Sequence, residues 1–377
     1  MSDAEALKVL ETEIRAAIQA AGGVLSFRRF MDLALYAPGL GYYERRSTRI
    51  GRAGDFMTSV STGPLFGELL AAQIAEWSRA RCLQDSTVSL VESGAHTGRL
   101  AADILEALCR DAPDVFERVI YTLMEPSAIR RDWQRETLES WNGCTRWITG
   151  WSELQTGVRG VILTNELLDA FPVTRYIWEA SRERWLEAGV QCIDEGFGWA
   201  RLESATTDRV AELLGHPLPL ELLAVLPEGF ALDLAAGAAE WWSEAARALT
   251  SGRLITFDYG LEASEFLTPK YASGTLRGYL KHRTARDELA SPGAADLTAH
   301  VNFTTLRQAG VEAGLETEFM GSQRVFLTEV FARRPAMAMG SEAEKASRLR
   351  QFHALTHPEH LGRAFRVLVQ HRVTPGQ

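Results

Sequence analysis

Three apolar runs in this chain end in an acid or an amide, and these polar ends are where chemistry can be placed. The first, Val88-Ser-Leu-Val-Glu-Ser-Gly-Ala-His-Thr-Gly98, brings Glu92, Gly94, His96 and Gly98 together just ahead of the helix-patterned Arg99-Leu-Ala-Ala-Asp-Ile-Leu-Glu-Ala-Leu108. The pattern predicts a buried strand, a tight turn and a crossover helix, with glycines that let the backbone approach a ligand. The free N–H groups at the start of that helix can hold a carboxylate or a phosphate. The second run, Val119-Ile-Tyr-Thr-Leu-Met-Glu125, ends in an acid of the kind that binds both hydroxyls of a ribose. The third, Gly160-Val-Ile-Leu-Thr-Asn-Glu166, puts Asn165 and Glu166 at the same carboxyl edge of a parallel sheet. The set points to an adenosine-containing cofactor.

Two such cofactors compete. A dinucleotide needs closely spaced glycines so that its pyrophosphate can rest on the turn, and His96 removes the closest approach. S-adenosylmethionine (SAM) carries no phosphate, so Glu-x-Gly-x-His-x-Gly favours SAM over NAD. Methyl transfer from SAM is an in-line displacement, served mainly by positioning and electrostatics. Glu166 and Asp169 suit it, because a carboxylate can orient a nucleophilic guanidinium and offset its developing positive charge. The structural alternative is that Glu166 sits in the first turn of the next helix. Asp258, closing the apolar run Gly252–Asp258 ahead of Tyr259-Gly260, is expected to border the site. Asp296 and His300 are four apart, so a helix would place them on one face, with His300 as a candidate general base. His353, His357 and His360 approach metal-ligand spacing, but Pro358 interrupts them and no acid completes a zinc pattern, so no metal is expected.

The elements that must position these groups follow from periodicity. Apolar spacing predicts helices over 3–21, 26–35, with Ser26 as N-cap, and 64–80, all ahead of the first sheet strand. Strands are expected at 88–91, 119–124, 145–148, 160–164 and 252–258, alternating with helices as in a parallel α/β sheet. Residues 173–203 have the alternation of antiparallel hairpins, and 206–215 and 233–250 that of helices. The expected organisation is a helical cap over 1–85 and a catalytic core over 86–377, interrupted by an α+β insertion at about 173–250. The 377 residues carry 46% hydrophobic and 24% charged side chains, ordinary for a globular enzyme. A net charge of -9 argues against nucleic acid as a partner, despite local basic clusters at Arg45, Arg46, Arg49 and Arg52 and at Arg277, Lys281, His282, Arg283 and Arg286. Four dispersed cysteines without CxxC fit reduced thiols. No apolar run has the length of a membrane span. The N-terminus has early acids and no signal core, so a cytoplasmic location is expected.

The ordered motifs also carry a resemblance over nearly the whole chain. Tyr36-Ala-Pro-Gly-Leu-Gly-Tyr-Tyr43, Gly54-Asp-Phe-Met-Thr-Ser59, Leu65-Phe-Gly-Glu68 and Glu92-x-Gly-x-x-x-Gly98 are followed by Glu125-x-Ser127, Asn165-Glu-Leu-Leu-Asp-Ala-Phe-Pro172, Asp258-Tyr-Gly260, Gly274-Thr-Leu276 and Asp296-Leu-Thr-Ala-His-Val301. In these the chain resembles the SAM-dependent methyltransferase family once classed as a domain of unknown function, whose mitochondrial members are complex I assembly factors and protein arginine methyltransferases. The resemblance implies a Rossmann-like methyltransferase core, SAM as donor and arginine on a protein as acceptor. It also implies that Gly54, Asp55 and Thr58 lie near the cofactor. The chain departs from the family pattern at Val60-Ser61, where Pro-Glu is usual, at His96 in place of a glycine, and at Asn302 in place of an aspartate. The rival readings are a SAM-binding assembly factor with little turnover and a methyltransferase acting on RNA or a small molecule.

Overall fold

Strand order in the central sheet is what places the polar strand ends, and it comes from the buried apolar runs. The computed structural model describes residues 2–45, 58–79, 83, 87–280, 283–284, 287–334, 341–357 and 361–372. The chain forms two units, one of Met57–Leu167, Trp241–Tyr259 and Ala309–Gln377, the other of Met1–Phe56, Leu168–Glu240 and Gly260–Gln308. The first unit carries the sheet. Its strands are β1 (Val88–Ser93), β2 (Val119–Met124), β3 (Thr145–Ile148), β4 (Val158–Asn165), β5 (Leu249–Leu261), β6 (Glu316–Ser322) and β7 (Phe365–Arg372).

They lie in the order β3-β2-β1-β4-β5-β7-β6. β3, β2, β1, β4 and β5 are parallel, whereas β7 runs antiparallel to both β5 and β6. Strand order therefore reverses between β1 and β4, the kind of point where open α/β sheets bind ligands beyond the carboxyl ends of their strands. The reversed β7 separates this sheet from the all-parallel dinucleotide-binding arrangement. The helix Leu65–Ser78 buries Phe66, Leu70, Ile74 and Trp77, and it packs with Leu100, Ile104 and Leu108 of Arg99–Asp111 over the sheet residues Val88, Leu90, Val161 and Phe257. These side chains are nearly or completely removed from water, each worth about 1.5–3 kcal/mol of transfer free energy.

The second unit contains the expected hairpins. Thr174–Glu179, Arg184–Ile193 and Gly196–Ala205 pair antiparallel in sequence order. The helix Asp3–Ala20 buries Leu10, Ile14 and Ile18, and Phe27–Tyr36 is capped by the Ser26 hydroxyl at the N–H of Arg29, 3.3 Å away. The predicted helices appear at Thr207–Leu214 and, across the unit boundary, at Ala236–Ala248. One expectation is overturned. No helix spans 296–300, because Asp296–Thr298 is a strand paired antiparallel with Arg277–Leu280. Cross-strand hydrogen bonding has outweighed the local helical spacing, so Asp296 and His300 do not share a helix face.

Asn302 has a structural assignment. Its Oδ1 accepts from the N–H groups of Thr304 and Thr305, at 3.1 and 3.4 Å, capping the helix Phe303–Glu312. Its amide nitrogen donates to the carbonyl of Leu214 at 2.8 Å, which an aspartate could not do. We expect Asn302→Ala to cost about 1–2 kcal/mol in urea unfolding. Asn302→Asp keeps the cap but loses the donor, and should fall between the parent and the alanine variant.

Candidate active site

The reversal in strand order brings the ends of β1 and β4 together. Glu92 is the penultimate residue of β1, Glu125 directly follows β2, Asn165 ends β4, and Asp258 lies near the end of β5. The turn after β1 needs its glycines. Gly94 has φ +77°, and a Cβ there would come within 2.8 Å of the Leu167 side chain, which follows β4. Gly98 has φ +82° and packs against Gln134 and Leu138. Between them His96 takes φ +47°, a left-handed conformation rare outside glycine.

Glu92 is buried and accepts a 2.7 Å hydrogen bond from the Tyr121 hydroxyl. Burial pushes its carboxyl up to about 7, and the Tyr121 bond pulls partly against that shift. His96 is driven the other way, to about 3, first by burial and then by the nearby Arg130 guanidinium, so its imidazole is neutral at physiological pH. Glu125 accepts from the N–H of Ser127 at 3.0 Å and from the Gln134 amide at 3.2 Å.

Glu166 does not stand in the first turn of an α-helix. It has φ +52°, while its N–H still donates to the carbonyl of Phe257 at 2.9 Å, so the chain turns sharply without leaving the β4–β5 ladder. Its Oε1 accepts from the Ser59 backbone N–H at 3.1 Å and from the Asn165 amide at 3.0 Å. Thr58, beside Ser59, is locked to Ser61 by reciprocal bonds: each backbone N–H donates to the other's hydroxyl oxygen, at 3.0 and 3.1 Å. Ser61, at the position where the family pattern has an acid, thus closes a turn next to Glu166.

Asp258 is fully buried, and its Oδ1 accepts from the N–H of Tyr259 at 2.9 Å. Asp169 and His300 belong to the other unit. There the Asp169 carbonyl accepts from the N–H of Ala299 at 2.9 Å, and the N–H of His300 donates to the Thr275 hydroxyl at 3.3 Å. Burial, then Arg277 and Lys270, lower the His300 imidazole to about 4. Gly54 and Asp55 lie outside the described residues, as do Cys82 and His360. His353 and His357 lie with ring centroids 4.6 Å apart and planes tilted by 36°. Sequence patterning missed Ser59, Tyr121 and Gln134, whose side chains or N–H groups hold the acids. A serine, a strand tyrosine and a helix glutamine carry no chemical mark of their own.

The donor set suits a phosphate-free adenosine cofactor with a cationic centre. Acids at three adjacent strand ends disfavour a pyrophosphate and favour a sulfonium. The buried atoms Asn165 Oδ1 and His96 Nε2 have no hydrogen-bond partner among the described residues, which a polar ligand would correct.

Residues 69–320 match the sequence pattern of the S-adenosyl-L-methionine-dependent methyltransferase family. The chain belongs to this family. A SAM-dependent methyltransferase fold is also shown by a Burkholderia thailandensis crystal structure bound to S-adenosyl-homocysteine. It is 30% identical, aligns over 98% of this chain and 93% of its own, and has a TM-score of 0.86. The zebrafish (Danio rerio) protein arginine methyltransferase NDUFAF7, mitochondrial, is 28% identical over 92% of this chain and 83% of its own length. The human protein of that name is 27% identical over 76% of this chain and 65% of its own length.

The chain is therefore a SAM-dependent methyltransferase with SAM as its cofactor. These relatives, mitochondrial by name, overturn the cytoplasmic expectation. The early acids on which it leaned have a structural use: Asp3 and Glu5 lie in the first turn of a helix capped by Ser2, and Glu5 completes the capping box. Among the described residues no helix is long and apolar enough to cross a membrane.

The folded chain binds the Glu92 proton more tightly than the unfolded chain does. That contribution to stability is complete below about pH 4.5 and is lost as pH rises to about 7. In Glu92→Gln this pH-dependent loss should vanish. The stability difference between variant and parent should shift in the variant's favour by up to about 3 kcal/mol between pH 4.5 and 8. Parallel unfolding curves for the two proteins across that range would refute the assignment.

Proposed function

We propose that this methyltransferase acts on arginine nitrogen of a protein acceptor, with Glu166 as the group that meets the guanidinium. The supporting observation is the fixed carboxylate itself. Glu166 accepts the Ser59 N–H and the Asn165 amide, and it is held in a left-handed backbone conformation beside the β1 turn. The relatives named protein arginine methyltransferases support the same acceptor.

When bound, SAM supplies a methyl group activated by its sulfonium. The remaining roles fall to the chain's own residues. Glu92 and the turn through Gly94, His96 and Gly98 shape the methionine side, Glu125 accepts the ribose hydroxyls, and Thr58 and Asn165 border the reactive end. Glu166 pairs with the guanidinium and aims one nitrogen at the methyl carbon. Methylation would place extra positive charge on that nitrogen, which would then lose one proton to solvent. The guanidinium stays cationic throughout, and the carboxylate stabilises the added charge through charge-assisted hydrogen bonds. Asp258 is a further candidate acid of this edge, fully buried and accepting from the N–H of Tyr259.

Glu166→Gln retains an oxygen to accept the Ser59 N–H but removes the charge. We expect methyl transfer from radiolabelled SAM to an arginine-containing protein to fall roughly 100-fold or more, while SAM affinity changes little. Mass spectrometry should place the methyl on arginine. Label on lysine or RNA, or an unchanged rate in Glu166→Gln, would overturn this acceptor assignment.

A further inference from the structure

One buried side chain joins the two halves of the cofactor site. Gln134 lies on the helix Ala128–Thr137 and is fully buried. Its Nε2 donates to the backbone carbonyl of His96, in the β1 turn, and to Glu125 Oε2, each at 3.2 Å. Its Oε1 accepts from the indole N–H of Trp147, on β3, at 3.0 Å.

Chemistry dictates which way this amide faces. An indole nitrogen only donates, so the amide oxygen must face Trp147. Both amide hydrogens then face the carbonyl and the carboxylate, which only accept. A flipped amide would set donor against donor on one side and acceptor against acceptors on the other. The same residue meets the turn at a second point. A Cβ on Gly98 would lie 3.4 Å from the Gln134 Cα, so the missing side chain at Gly98 lets the helix approach this closely. Arg131 adds a clamp on the Glu125 side, donating from Nη1 to the carbonyls of Glu125 and Pro126 at 2.8 Å each.

We propose that Gln134 is the positioning residue of the cofactor site. It sets the β1 turn, which serves the methionine side, against Glu125, which serves the ribose, and Trp147 fixes its orientation. The proposal rests on the placement of SAM at this turn. A buried glutamine that merely filled space would be replaceable by leucine without loss of affinity, whereas a donor that holds two acceptors together is not.

Calorimetric titration with SAM and with S-adenosyl-homocysteine tests it. Gln134→Leu should bind both roughly tenfold more weakly than the parent, since two donor contacts to buried acceptors are lost. Gln134→Glu gives the sharper reading. Ionised, the new carboxylate faces two acceptors and repels Glu125. Protonated, it presents an O–H to Glu125 and an oxygen to Trp147, as the amide does. Its affinity relative to the parent should therefore be low at pH 8 and recover severalfold at pH 5.5. The charged groups nearby are Glu125, Arg130, Arg131 and Arg135, the last with its guanidinium 5.3 Å over the Trp147 ring. His96 stays neutral over this range, and taking the ratio to the parent at each pH removes the titration of Glu92.

Parent-like affinity in both variants, or a Gln134→Glu deficit that is equal at the two pH values, would overturn the proposal. Should Gln134→Leu fail to fold, Trp147→Phe keeps an aromatic ring against the core and beneath Arg135 while removing the N–H that orients the amide, and should weaken binding severalfold; unchanged affinity there would also overturn it. If the unaltered chain binds neither SAM nor its product, the placement of the cofactor falls, and this proposal with it.

Discussion

Two parallel strands, β1 and β4, lie side by side where the strand order reverses, and their chain segments must turn away within a few residues of each other. There is no room for ordinary side chains and ordinary backbone at that place. Gly94 answers with a positive φ and no Cβ against Leu167, while His96 and Glu166 accept left-handed conformations that cost non-glycine residues of order 1 kcal/mol or more each. The hydrogen bonds at Glu166, from Ser59 and Asn165 and from its own N–H to Phe257, offset that cost and fix the carboxylate. The crowding that makes the turns expensive is also what holds their polar groups rigid.

The same edge illustrates how one fold gives similar groups different electrostatics. Glu92 has a neutral hydroxyl as partner and is buried, so its proton is held to near neutrality. Glu166 is met instead by a backbone N–H and an amide. Glu125 likewise receives a backbone N–H and an amide. Distinct surroundings thus set neighbouring carboxylates of one sheet edge apart from each other.

Much of this was legible in the residues. Buried parallel strands are continuous apolar runs, so β1, β2, β4 and β5 could be located, and a polar residue closing such a run must stand at the sheet's carboxyl edge. β6 and β7 were not legible. β6 is an exposed edge segment with Glu316 and Glu318 among its residues, and β7 contains Arg366, Gln370 and His371. Gln370 is nevertheless buried, with its amide bonded to Trp242 and Thr317. The helical spacing of Asp296 and His300 misled for a related reason, since long-range pairing decided that segment. Asn302 looked like a weakened site acid and is a helix cap with a second donor bond. Glycines and acids announce themselves by type and position. Gln134 does not, because its importance lies in which helix face is buried and in what Trp147 can donate.

The place of β7 bears on how the chain is made. It is the last of these strands in sequence, yet it lies inside the sheet, between β5 and β6. Until residue 372 has left the ribosome, β5 presents a row of unsatisfied N–H and C=O groups next to apolar residues such as Ile255 and Phe257, an edge open to pairing with other chains. Synthesis at about 5–20 residues per second leaves that edge uncovered for several seconds after β5 emerges. Closure of the sheet then depends on a contact more than a hundred residues apart in the chain, the slow kind of contact in folding. The nascent protein thus passes through a defined interval in which its central sheet has an uncovered edge that its own later residues must close.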